Sequence, residues 1–146
     1  MKKIFSVIFL IILLSAHAYA ETAVFINGEK AEIPPEMGSI RIEYDRTFVP
    51  VRFLLEYFRY DVSWDGEDKV VFGRNASDSI FVMQVGSNNL TYSSENGDLK
   101  TAVMDVSPFL DTAEGRTYIP LRFIAEATGY DVDYNDTEKA VMLNKK

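Results

Sequence analysis

The chain has 146 residues, with 15 Lys and Arg against 22 Asp and Glu, a formal net charge of −7, and no cysteine. A surface of that sign repels phosphate backbones and argues against nucleic-acid binding, and a fold without thiols must be held by packing, even in an oxidising compartment. The only histidine is His17. It lies within a leader expected to be removed, so the processed chain offers no imidazole or thiolate for zinc, no cysteine nucleophile and no Ser-His-Asp relay.

The leader opens with Lys2 and Lys3, continues through an uncharged run over residues 4–14, and ends in small residues over 15–20, with Ala18 and Ala20 in A-x-A positions. This is the pattern of a cleavable secretory signal. The apolar run is shorter than the roughly 20 residues of a membrane helix, so no membrane span is expected after cleavage. No cysteine stands near the cleavage point to carry a lipid anchor. The expected product is residues 21–146, with 13 Lys and Arg against 22 Asp and Glu, a formal net charge of −9, located outside the cell or in its envelope. That length suits one domain with one core.

In chain order, Ala23–Ile26 and residues 29–33 across Asn27-Gly28 predict a hairpin with a primed turn, and residues 39–44 another strand. Residues 46–72 then match residues 116–142 without a gap at an offset of 70. Arg, Thr, Pro, Arg, Phe, Glu, Tyr, Asp, Val, Lys and Val coincide, and most other positions pair apolar with apolar. In each copy Pro50 or Pro120 suits the first position of a short helix. Val51, Leu54, Leu55 and Phe58, and likewise Leu121, Ile124, Ala125 and Thr128, follow the i, i+3, i+4, i+7 spacing of one buried stripe. Gly129 suits a left-handed cap of the second helix. Arg59 stands in that place in the first copy and is expected to end its helix differently.

Alternation over residues 60–64 and 130–134 predicts strands with Tyr60, Val62 and Trp64, or Tyr130, Val132 and Tyr134, facing inward. Polar turns lead to strands over 69–72 and 139–143. Between the copies, 73–79 reads as a loop, and 80–85, 90–93 and 99–106 as strands. The sum is an α+β domain of antiparallel hairpins around two short helices, in two pseudo-symmetric repeats of about 21–76 and 77–146. A unit of that size alone would bury a marginal core, so a single domain is expected.

The tandem motif R-T-[FY]-[VI]-P-[VL]-R-F-[LI]-x-E, followed by Y-D-V-x-[WY] and a K-x-V strand, resembles the copper amine oxidase N-terminal domain-like family, the stalk modules of exported bacterial proteins. The resemblance covers essentially all of residues 21–146. It implies an antiparallel sheet twisted around helix and a non-catalytic accessory module. In the oxidases, copper and the tyrosine-derived quinone belong to a separate catalytic domain, so neither carries over to these residues. Arg59 departs from the family pattern, in which a glycine usually follows the helix.

Candidate sites divide into motif residues and exposed rings. Arg52 with Glu56, and Arg122 with Glu126, recur four residues apart beside Arg46, Pro50, Arg116 and Pro120. Arg before Glu is the weaker order for an isolated helix pair. A structural role tying helix to sheet through the five guanidinium donors is therefore preferred over paired recognition of an anionic ligand. Asp61 to Gly66 imitates the start of a calcium loop, but Phe72 stands where a bidentate Glu is needed, and Asp136 replaces the turn glycine in the second copy. Neither metal nor cofactor is expected, and no catalytic residue is assigned. Carboxylates are too abundant for any glycosidase pair to stand out, and no long loop frames a cleft. Tyr57, Tyr92 and Phe109 are the candidate binding aromatics. Asn75-Ala76-Ser77 and Asn135-Asp136-Thr137 match the glycosylation acceptor pattern and read as turns.

The function expected is an exported, non-enzymatic envelope module for protein interaction or scaffolding, in which a sheet edge could be extended by a partner or by a second copy in a homodimer. The alternative is a module that binds cell-wall glycan, peptidoglycan in particular. Intact-mass measurement on exported protein should give a chain starting at Glu21. A membrane-bound product retaining Met1 would refute the signal.

Overall fold

The computed structural model describes residues 21–94 and 96–146, so the expected signal at 1–20 lies outside the described residues. Strands β1 (Ala23–Ile26) and β2 (Glu29–Lys30) are joined by Asn27 and Gly28, both at positive φ as a primed turn requires. β2 is shorter than the expected 29–33. Pro34 and Pro35 follow, without N–H donors, and open a 3-10 turn over Pro35–Met37 instead. Next come β3 (Arg41–Glu43), β4 (Arg46–Pro50), helix α1 (Val51–Tyr57), β5 (Tyr60–Asp65) and β6 (Val70–Asn75). The chain continues through β7 (Ile80–Gln84), β8 (Asn89–Ser93), β9 (Leu99–Val103) and β10 (Phe109–Asp111), and closes with β11 (Arg116–Pro120), helix α2 (Leu121–Ala127), β12 (Tyr130–Asn135) and β13 (Ala140–Lys145). The bounds of β4, α1, β5 and β6 recur 70 residues later in β11, α2, β12 and β13.

The protein is mostly β-sheet with two short helices, in the orders β12-β13-β1-β2, β10-β11-β4-β3 and β5-β6-β7-β8-β9. All three sheets contain strands from both sides of residue 76. The expectation of purely antiparallel pairing is corrected at one place: β1 runs parallel to β13, with Val24 beside Val141 and Ile26 beside Leu143. β7 flanks β6 in the corresponding position but runs antiparallel. The reason is connectivity. A short turn joins β6 to β7 and forces antiparallel pairing, whereas no turn joins β13 to β1. The expected loop at 73–79 is also shortened, because β6 continues to Asn75, whose Oδ1 accepts the N–H groups of Ser77 and Ser79 and builds the turn itself.

Each helix starts one residue later than expected. Pro50 and Pro120 end β4 and β11 in extended conformation (φ −59° and −58°, ψ 120° and 119°) and serve as N-caps. A fixed φ near −65° suits both the strand end and the helix start, which is why one proline makes the junction. α1 buries Val51, Phe53, Leu54 and Leu55, and α2 buries Leu121, Ile124 and Ala125. Phe58 is only half-buried, and so is Thr128, whose hydroxyl donates to the carbonyls of Ile124 and Ala125 and closes the helix. The helices meet Ile26, Phe81, Leu90, Ile119 and Leu143 in one core cluster.

Trp64 and Tyr134 do not face the core as the alternation predicts; they are 39% and 47% exposed. A seven-residue helix is about 10 Å long, while a six-residue strand spans about 20 Å, so the outer half of each hairpin runs past the helix that should cover it.

The expectation that Arg59 ends its helix differently is likewise corrected. Arg59 takes φ +67° and Gly129 φ +85°, so both copies use the same left-handed turn. For a residue with a Cβ that conformation costs about 1–2 kcal/mol. Arg59→Gly should therefore stabilise the protein by about 0.5–1 kcal/mol, and Gly129→Arg should destabilise it. Denaturant melts would test this, and a destabilised Arg59→Gly variant would contradict it.

Candidate functional site

The two R-T-x-x-P segments, read in sequence as lead-ins to helices, are neighbouring strands. β4 and β11 pair antiparallel, with Val49 opposite Ile119, Pro50 opposite Tyr118 and Phe48 opposite Pro120. Because the strands run in opposite directions, the start of each lies beside the helix that follows the other. Two surface grooves result, each with walls from both copies. One, of about 930 Å³, sets Arg46 and Thr47 against Leu121, Arg122, Val132 and Tyr134. The other, of about 540 Å³, sets Arg116 and Thr117 against Val51, Arg52, Val62 and Trp64.

The grooves share a plan and differ in charge. An aromatic ring stands at each wall over an aliphatic floor, Val71 in one and Val141 in the other. The Tyr134 groove carries Asp45 and Asp133, whereas the positions 70 residues away hold Gly115 and Ser63 in the Trp64 groove. The Tyr134 groove is thus the more acidic.

The motif arginines divide in role. Arg46 donates from Nε (2.9 Å) and Nη2 (2.6 Å) to Asp105 Oδ2. Arg116 donates to the carbonyls of Glu114, at 2.9 Å, and Glu36. Arg52 and Arg122 were expected to tie helix to sheet and do not. Arg52 reaches only Glu56 of its own helix, at 4.0 Å, and Arg122 forms no hydrogen bond or ion pair among the described residues, with Glu126 exposed beside it. Both guanidinium groups project into solvent because their residues lie on the outer face of helices whose inner face is apolar.

The residue that ties strands together is Arg41, which no repeat singles out. Its guanidinium lies 4.5 Å from the centre of the buried Tyr118 ring and pairs with Asp111 (2.7 Å) and Glu114 (2.6 Å). Tyr118 donates its hydroxyl to Glu114 Oε2 at 2.7 Å. Gly38, at φ +104°, makes room for this cluster, since a Cβ there would fall 2.7 Å from the Tyr118 hydroxyl. The Tyr118 hydroxyl and then Arg41 hold the Glu114 carboxyl below the usual range; the Glu114 N–H and then Arg41 do the same for Asp111, and Arg46 does it for Asp105.

The candidate aromatics are placed unequally. Phe109 stacks on Tyr118 at 5.3 Å and packs beside Phe48, and Tyr92 is half-buried against the core, so both are partly covered. Tyr57 is exposed, alongside Phe53 and Phe58. The groove rings Trp64 and Tyr134 were missed because strand alternation assigned them inward. Asp65, in the segment that imitates a calcium loop, accepts the N–H groups of Glu67 and Asp68, and Asn135 accepts those of Thr137 and Glu138, so both build turns. Among the described residues, no group of three or more His, Cys, Asp or Glu is arranged to hold a metal ion.

The carboxyls of Asp105, Asp111 and Glu114, held low when folded, contribute stability that is present above their unfolded values and is lost as pH falls through the folded ones. Melting temperature should hold steady down to about pH 4 and drop below it. Arg41→Ala should cost about 2 kcal/mol at neutral pH and flatten the acid limb. Thermal melts across this range test both, and an acid limb unchanged by the substitution would refute the linkage.

The family described as Copper amine oxidase N-terminal domain matches residues 25–143. No curated protein and no solved structure matches the chain. The match spans both R-T-x-x-P strands, both helices and the hairpins that form the grooves. The chain therefore belongs to the copper amine oxidase N-terminal domain family, a non-catalytic stalk-like module.

Proposed function

We propose that this chain works as an exported, non-enzymatic envelope module of two pseudo-symmetric repeats, and that it holds a protein partner in its two grooves. The observation that carries the reading is the make-up of those grooves. Trp, Tyr and Arg are the residue types that dominate binding energy at protein interfaces, and each groove sets one such ring and two arginines over an aliphatic floor. Among the described residues, Arg52 and Arg122 make no bond to the sheet, and both side chains are open to a partner. A catalytic reading would ask for displaced titratable groups converging on a substrate; here the displaced carboxyls are engaged by Arg41, Arg46 and Tyr118.

One observation favours cell-wall glycan as a second reading: the Tyr134 ring stands among Asp133, Asp136 and Asp45, a ring-and-carboxylate surface suited to hydroxyl-rich ligands. Photo-crosslinkers placed beside Trp64 and Tyr134 in producing cells, run alongside retention on purified peptidoglycan, separate the two. The protein reading expects one dominant crosslinked protein, and Trp64→Ala should weaken its binding by about 2 kcal/mol, roughly 30-fold. Glycan retention lost in Tyr134→Ala would move the function to the second reading. Turnover of a wall polymer would defeat both.

A further inference from the structure

The five-stranded sheet ends at β9, and among the described residues nothing pairs with its outer side. Which backbone groups face outward follows from the bonds flanking the strand. The Ser94 N–H donates to the Asp98 carbonyl (2.8 Å) and the Met104 N–H to that of Asn88 (2.7 Å). By the two-residue alternation of an antiparallel ladder, Lys100 and Ala102 turn their polar groups toward β8, and Leu99, Thr101 and Val103 turn theirs to the free edge. The same three residues put their side chains on the outer face of the sheet, where Leu99 is 64% and Val103 72% exposed. Exposed edges are ordinarily blunted by prolines, bulges or charged side chains, Lys especially. β9 carries only Lys100.

We propose that β9 pairs antiparallel with β9 of a second copy about a twofold axis at Thr101, joining two five-stranded sheets into one. This rests on the reading of the chain as a protein-binding module. In this register Thr101 faces its own copy, Leu99 faces Val103, and every outward N–H and C=O of the three residues finds a partner. Sliding the pair by two residues brings Leu99 against Thr101 and carries Val103 into the Gly97 turn, so only one register pairs all three. Lys100 falls opposite Ala102 and not opposite Lys100, so the like charges are offset. In a chain of net charge −7 the one charge on this strand is a cation, so the seam itself adds no carboxylate repulsion between copies. A five-residue seam is small beside the roughly 1,200–2,000 Å² of a stable interface, so the dimer is a reversible one that dissociates on dilution into the low-micromolar range.

Sedimentation velocity over a concentration series of the purified protein tests the dimer. The mass should rise from one chain toward two. Thr101→Pro removes an N–H that the monomer leaves unused, and Val103→Lys adds a charge at the seam. Both should sediment as monomers throughout, with the melting temperature of the parent. Thr101→Cys, the only thiol in its chain, should face its own copy at about 5.5 Å between Cα atoms and oxidise to a covalent dimer at several times the yield of Lys100→Cys. A parent chain monomeric at every concentration, a dimer that survives Val103→Lys, or equal yields from the two cysteine variants would each overturn the proposal. A monomeric chain that still binds a partner at Trp64 would remove the dimer and leave the module reading standing.

Discussion

The structure depends on one strand pair. Val49 and Ile119, both fully buried, sit opposite each other where β4 meets β11, and the register on either side maps onto itself under the offset of 70. Pro50 and Pro120 end this ladder at both margins and turn the chain into a helix at each. The helices are thereby carried to opposite ends of the pair, where α1 packs against β11 and α2 against β4. Each copy supplies part of the other's surroundings. One continuous core follows, as do grooves that neither copy could form alone.

On this shared frame the copies diverge at their margins. Where β13 accepts β1 in parallel and the sheet ends on the two-residue β2, β6 is followed by three antiparallel strands and the sheet ends on the five-residue β9. The second arrangement ends that side of its sheet on the longer strand. The groove charges diverge in the same way, through single exchanges of Asp for Gly or Ser at positions where the backbone is otherwise equivalent. A frame of about 125 residues thus carries two unlike grooves and sheet margins of different length.

Different arginines hold the frame and face solvent. Arg41, Arg46 and Arg116 are held by carboxylates or carbonyls at strand ends and serve the frame. Arg52 and Arg122 belong to the same motif but ride the outer faces of their helices, where the apolar stripe has already turned their side chains outward. Arginines of one motif therefore differ in their contacts, and the difference is set by which face of an element each one occupies.

Much of this was written in the sequence. Local patterns determine local structure, so the apolar spacing after each proline located both helices to within one residue, Asn27-Gly28 located its turn, and the offset of 70 announced the recurrent unit and the family. What the sequence left open were relations between distant segments. That β4 and β11 pair with each other, that β1 lies parallel to β13, and that Arg41 reaches residues 70 and 73 positions away depend on contacts no local period encodes. The exposure of Trp64 and Tyr134 belongs with these. Alternation states which face of a strand a residue occupies, but whether that face is covered depends on how far the packed helix extends, and the tertiary structure alone decided that.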